Sequence, residues 1–131
     1  TKENIKEVVR FAQEFSRKTG AVIAITGAID LVCNQEKAVA IENGHAMMSC
    51  ITGTGCQLSA LTASFISANP AHLLEATLAA VCTMGLAGEI AHTRLTHLDG
   101  NASYRNYIID AIYNMIPQQL QEGAKYQEVV F

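Results

Sequence analysis

Residues 51–56, Ile51-Thr52-Gly53-Thr54-Gly55-Cys56, carry the clearest chemical signal in this chain. Two glycines bracket a threonine, and Gln57 to Phe65 then reads as a helix. A glycine loop entering a helix aims several unpaired backbone N–H groups at one point, where the helix dipole is also positive. Such a cradle suits a phosphate, or the negative charge that develops while a phosphoryl group moves. Cys56 sits on the first helical turn beside that point. A thiol there could accept a proton, because a helix N-terminus favours the thiolate. It could equally be a small residue filling the helix start. The glycines admit a plainer use as well, the geometry of a loop-to-helix turn.

The other chemistry-bearing residues form no comparable pattern. His45, His72, His92 and His97 make no HxxxH pair and have no carboxylate cluster nearby, and Cys33, Cys50, Cys56 and Cys82 make no CxxC, so no metal site is expected. Apart from Cys56, the cysteines read as reduced thiols used as small hydrophobes. Thr26 closes an apolar run and could contact a ligand or simply end a strand. Thr52 could do the same or order the loop through a side-chain turn. His45 reads as a structural residue flanking a hairpin. Met47 and Met48 are expected to alternate between core and surface, and Glu89, His92 and Arg94 to be solvated or interfacial.

The elements that must hold the loop follow from periodicity. Glu3 to Lys18 is an amphipathic helix ending at Gly20, and Ala21 to Thr26 is a short β-branched run that fits a strand buried on both faces of a parallel sheet. Ile29 to Cys33 and Lys37 to Glu42 read as further strands, Asn43-Gly44 as a hairpin turn, and His45 to Ser49 as a fourth strand. Helices are expected over Cys56–Ala68, Ala71 to about Thr96, and Tyr104–Ile116, the last capped by Asn101 or Ser103. Gly85 and Gly88 would permit close packing of the second of these. Pro117 starts a final helical turn ending at Gly123, and Tyr126 to Val130 is a closing strand.

Composition bounds the partners. Residues 1–131 fit one domain, half hydrophobic with 16% charged, against about 25% in ordinary globular proteins. A chain this apolar is expected to bury surface against a partner subunit or another part of the same protein. The net charge of −3, with no Lys/Arg cluster, argues against nucleic acid. Ala76 to Gly88, 13 residues, is the most apolar stretch and falls short of the roughly 20 a membrane-spanning helix needs. No signal peptide is visible, and the chain starts at Thr1.

The succession Ile25-Thr26-Gly27, Asn43-Gly44-His45 and Thr52-Gly53-Thr54-Gly55-Cys56, then a helix, resembles the C-terminal half of the hydroxyethylthiazole kinases of the ribokinase-like superfamily. The resemblance covers nearly the whole chain and is most specific from Ile25 to Phe65. Cys at the loop's end is the discriminating detail, since most ribokinase-like enzymes carry Asp there. The resemblance implies an α/β, ribokinase-like layered fold with a central, mostly parallel sheet flanked by helices. It implies ATP-dependent phosphorylation of 4-methyl-5-(2-hydroxyethyl)thiazole in thiamine biosynthesis or salvage, with Mg²⁺ on the phosphates, in a cytoplasmic homotrimer. It further implies that Thr26 and Thr52 contact ATP, that Gly53 lies on the substrate side, and that Gly53, Thr54, Gly55 and Cys56 form the anion hole. Gly100-Asn101-Ala102-Ser103-Tyr104 falls where the family often has a glycine-rich turn, with Ala102 in place of its second glycine. The family's enzymes are about twice this length, so an N-terminal half would supply the metal ligands, and this segment alone is expected to be inactive. Two other readings stay open: a related kinase of the hydroxymethylpyrimidine type, and a non-catalytic nucleotide-binding or assembly module.

Overall fold

The computed structural model describes residues 2–131. Helix α1 (Lys2–Thr19) is followed by strands β1 (Ile23–Ile25), β2 (Asp30–Cys33) and β3 (Ala38–Ile41), then a 3₁₀ helix, Ala46–Cys50. Helices α2 (Thr54–Ala68), α3 (Leu73–Thr93), α4 (Asn101–Asn114) and α5 (Pro117–Gly123) come next, and β4 (Tyr126–Glu128) closes the sheet. Gly20 stops α1 as expected: its φ of +74° lets its N–H turn back onto the Ser16 carbonyl at 2.7 Å. Arg17 and Lys18 in the last turn complement the helix dipole.

The class is α/β, but the sheet is antiparallel throughout, in the order β1-β2-β3-β4, and not mostly parallel. For β1, β2 and β3 the reason is connection length. A parallel crossover needs about a dozen residues, and the links 26–29 and 34–37 can only fold the chain back. Asn34 organises the second link, its Oδ1 accepting from the N–H groups of Glu36 and Lys37 at 3.0 and 2.7 Å. β1 is not buried on both faces either. It is an edge strand, with Ile23 and Ile25 half-buried and Ala24 exposed.

Asn43-Gly44 makes no hairpin, and 45–49 is no strand. β3 already carries β2 on one edge and β4 on the other, so no edge remains for a hairpin partner. The chain instead leaves the sheet and coils, with His45 capping the 3₁₀ helix by accepting the Met47 N–H on Nδ1 at 3.1 Å. Met47 and Met48 are consequently both half-buried on the same apolar cluster and do not alternate.

Alternation in the inner strands builds two faces. Leu31, Cys33 and Ala38 meet Val9 and Ala12 of α1, while Val32 and Ile41 meet Leu74, Val81 and Cys82 of α3. On the far side of α3, Met84, Ala87 and Ala91 pack with Tyr104, Ile108 and Ala111 of α4. Helix α3 is therefore central. Its 21 residues are long and apolar enough by composition to cross a bilayer, but most of that length is buried in the fold. It exceeds the 13-residue apolar run because Glu75 and Glu89 lie within the helix. Its glycines serve close packing: a Cβ on Gly85 would lie 2.7 Å from Asn43 Cβ, and one on Gly88 would fall on Met48 Sδ. Helix α4 starts at Asn101 with Gly100 in the cap position, so neither Asn101 nor Ser103 caps it. Asn101 Nδ2 instead donates to the Cys50 carbonyl at 3.1 Å.

Candidate functional site

A concavity of about 570 Å³ opens between the turn after β1 and the start of α2. Thr26, Gly27 and Ala28 form one rim, and Thr54 and Gly55 form another. Asn43, Gly44 and His45 make a third wall, and Val81, Met84 and Gly85 of α3 line it as well. Of the six residues expected to act, the fold brings Thr26, Thr54 and Gly55 to one cavity. Thr52, Gly53 and Cys56 are not among its lining residues. Thr52 and Cys56 are exposed, and Cys56 is the third residue of α2.

Helix α2 begins without the usual help. Gly53 occupies the cap position with φ +96°, a conformation that excludes most side chains, and it can offer no side-chain acceptor. The first intrahelical bond is Gln57 N–H to the Gly53 carbonyl at 3.0 Å, so the N–H groups of Thr54, Gly55 and Cys56 precede the helical ladder. No acidic side chain lies in that first turn. Gly55 has an ordinary helical backbone, and a Cβ there would meet nothing within 4 Å. Neither backbone conformation nor packing accounts for glycine at this position.

Asp30 sets the opposite rim. Its Oδ1 accepts the Gly27 N–H at 2.8 Å and closes the turn that follows Thr26. Burial pushes its carboxyl above the usual range, and the Gly27 hydrogen bond only partly offsets this. The third wall is held from behind by Glu89, whose Oε1 accepts from Gly44 N and Asn43 Nδ2 at 2.9 and 3.0 Å. Its Oε2 meets Lys125 Nζ at 2.8 Å. Burial works to raise this carboxyl, but Lys125, Gly44 and Asn43 together hold it below the ordinary carboxylate value. Glu89 was expected to be solvated or interfacial and is half-buried in a network. Its signal in the sequence was an acid within the apolar, small-residue second half of a helix. His92 also has a structural partner: its ring stacks on His45, with centroids 3.6 Å apart. Arg94 pairs with Asp110 at 3.6 Å and lies over the Tyr107 ring.

All four cysteines are free. Burial raises the Cys33 thiol, and burial with the Asp30 charge pushes Cys82 up to about 11, as befits inert core thiols. Cys50 departs from the expected hydrophobe role: it is exposed, because it ends the 3₁₀ helix rather than sitting in a strand. Among the described residues, no three His, Cys, Asp or Glu side chains converge to hold a metal ion.

Fold and cavity together define a mixed α/β protein in which a cavity opens beside a helix start whose first N–H groups precede the helical ladder. The sequence profile of the hydroxyethylthiazole kinase family matches residues 1–118, and the chain belongs to that family. It is 56% identical over 125 residues to a hydroxyethylthiazole kinase of Clostridium acetobutylicum, covering 95% of this chain and 46% of the relative. It is 34% identical over 128 residues to one of Desulfotalea psychrophila, covering 98% of this chain and 45% of that protein. The solved structure of a Pyrococcus horikoshii OT3 hydroxyethylthiazole kinase superposes with a TM-score of 0.86 at 29% identity, covering 98% of this chain and 49% of that one. The chain thus spans less than half the length of the relatives it matches.

Proposed function

We propose that residues 1–131 form the C-terminal portion of a single ribokinase-like domain in an enzyme that phosphorylates the hydroxyl of 4-methyl-5-(2-hydroxyethyl)thiazole with ATP, in thiamine biosynthesis or salvage. Family membership supports the reaction class, and the relatives' names support the substrate. The observation that carries the site is Gly55, an unconstrained glycine in the first turn of α2, where its backbone opens on the cavity that Thr26 also lines.

Phosphoryl transfer asks the protein chiefly for positioning and for stabilisation of charge on the equatorial oxygens. The N–H groups of Gly53, Thr54, Gly55 and Cys56 are suited to that charge, and a missing Cβ at Gly55 lets the transferring group approach the main chain. Thr26 would contact the nucleotide phosphates from the facing rim, and Thr52 would assist from the loop. ATP enters through the cavity. The alcohol reaches the same N–H groups from the exposed side of α2, past Gly53 and Cys56. There Cys56 Sγ takes the hydroxyl proton, or serves as a small residue beside an alcohol that loses its proton late.

The residues of this chain do not fit a Mg²⁺ site. Asp30 and Glu42 are the carboxylates lining the cavity, and Asp30 Oδ1 is engaged with Gly27. A metal on the ATP phosphates would be held by the rest of the protein. The free edge of β1 and the face of α2, on which no residue is fully buried, offer the surface for that remainder and for the subunits of a cytoplasmic homotrimer. The deciding experiment is phosphorylation of the thiazole alcohol by the complete protein with ATP and Mg²⁺. No turnover on any thiazole alcohol would remove the substrate assignment, and a monomer in light scattering would remove the trimer.

A further inference from the structure

We propose that Glu89 and Asn43 are positioning residues for the nucleotide. They lock the Asn43-Gly44-His45 wall of the cavity to α3 and to the segment before β4. The inference rests on the reading of the cavity as the ATP side of the site.

Asn43 is 7% exposed, and every polar atom of its side chain is used. Its Nδ2 donates to Glu89 Oε1 at 3.0 Å and to the Gly123 carbonyl at 2.9 Å, and its Oδ1 accepts the Lys125 N–H at 2.7 Å. Three segments far apart in sequence therefore meet on one amide. Glu89 then fixes the next residue directly, since its Oε1 also accepts the Gly44 N–H at 2.9 Å. Gly44 needs that anchor: its φ of +125° is open to glycine, and glycine is the residue least able to hold one conformation unaided. Helix α3 comes close enough to deliver the carboxylate because Gly85 has no Cβ to strike Asn43.

The wall so fixed leads into the reactive loop. His45 caps the 3₁₀ helix, whose last residue, Cys50, precedes buried Ile51 and the loop at Thr52. Without the carboxylate, Gly44 N–H and Asn43 Nδ2 lose a half-buried acceptor, and the wall is free to shift. A cavity wall touches the nucleotide alike in ground and transition states, so its loss weakens ATP binding without slowing the bound complex.

The test is steady-state kinetics of the complete protein. Glu89→Ala is expected to raise KM for ATP about tenfold, with kcat and the thiazole KM within about threefold of wild type. Glu89→Gln keeps an acceptor for Gly44 and Asn43 and is expected to restore KM to within about threefold; Lys125→Met, which removes only the ion pair, should behave likewise. If Glu89→Ala does not fold, Glu89→Asp replaces it, because one methylene fewer withdraws the carboxylate from Gly44 while keeping its charge. An active wild type with KM for ATP unchanged in Glu89→Ala, or with the loss confined to kcat, overturns the inference alone, as does failure of Gln to rescue. A wild type without turnover on any thiazole alcohol overturns the functional reading, and this inference with it.

Discussion

His45 and His92 lie face to face, their ring centroids 3.6 Å apart and their planes 21° apart, so that a residue of the cavity wall rests on helix α3. The Tyr104 ring also meets His92, its centroid 6.2 Å away and its plane nearly perpendicular. Removing the middle ring by His92→Ala should cost about 1 kcal/mol of stability, the order of an aromatic pair, and His92→Phe should retain most of it. Urea unfolding of the complete protein measures both. Equal midpoints for the two variants would show that the stack contributes nothing.

Tyr104 is fully buried, and its hydroxyl donates to the Gly88 carbonyl at 2.9 Å. Tyr104→Phe keeps the ring and deletes that bond, for an expected loss of about 1 kcal/mol. The same unfolding measurement decides it, and a variant as stable as wild type would mean that the bond carries no net weight.

Gly85 and Gly88 should respond differently to alanine, although each would gain about 1 kcal/mol in helix propensity. At Gly85 the new Cβ meets Asn43 main-chain atoms at 2.8 Å, which cannot move without the wall. At Gly88 it meets the flexible end of Met48, which can swing aside. Gly85→Ala is expected to be destabilised by about 2 kcal/mol and Gly88→Ala by clearly less. The opposite order in urea midpoints would refute the packing account.

Gly55→Ala should leave stability unchanged or slightly higher, because its Cβ enters open space on a helical backbone. On the proposed reading of the site, the same Cβ in the complete enzyme would stand in the path of the transferring phosphoryl group. A fall in kcat of about a hundredfold is expected, the order seen when one oxyanion donor is lost. Turnover at the wild-type rate would return Gly55 to a purely local role.

Asp30 and Glu89 should make opposite contributions to the pH dependence of stability. Asp30 has its carboxyl raised, chiefly by burial, so its contribution is fully present below the unfolded pKa and lost as pH rises through the folded value. Asp30→Asn keeps an acceptor for Gly27 without the charge. It should therefore raise Tm at pH 7, with the gain fading towards pH 3. Glu89 has a lowered carboxyl, so its contribution is present above the unfolded pKa and disappears as pH falls through the folded value. Glu89→Gln should lower Tm at pH 7 and converge with wild type in acid. Parallel Tm profiles for wild type and either variant would contradict the shift assigned to that group.

Much was legible from local pattern. The amphipathic period of α1, the stop at Gly20, the breaks at Asn69-Pro70 and Pro117, and the glycine loop before α2 all rest on interactions within a few residues, which spacing and residue type encode. The candidate cavity was legible in part, since Thr26, Thr54 and Gly55 do converge. Strand direction and the fate of Asn43-Gly44 were not. Asn-Gly favours a turn in any context, but whether a hairpin follows depends on a free edge, and β4, arriving some 85 residues later, occupies it.

The sequence by itself determined which segments are α-helical, where backbone N–H groups are left free, and that Gly53 could adopt the left-handed conformation the turn into α2 requires. Those properties belong to neighbouring residues and survive any tertiary arrangement. Tertiary structure alone decided that Glu89, rather than Glu75 of the same apolar helix, would hold Gly44 and Asn43, and that Cys50 would be exposed while Cys82 is buried. It also set Cys56 outside the cavity whose rim begins two residues before it. Burial and hydrogen-bond partners at such separations depend on which faces α3 presents to the sheet and to its neighbouring helices. That packing is a property of the assembled layers and not of any one segment.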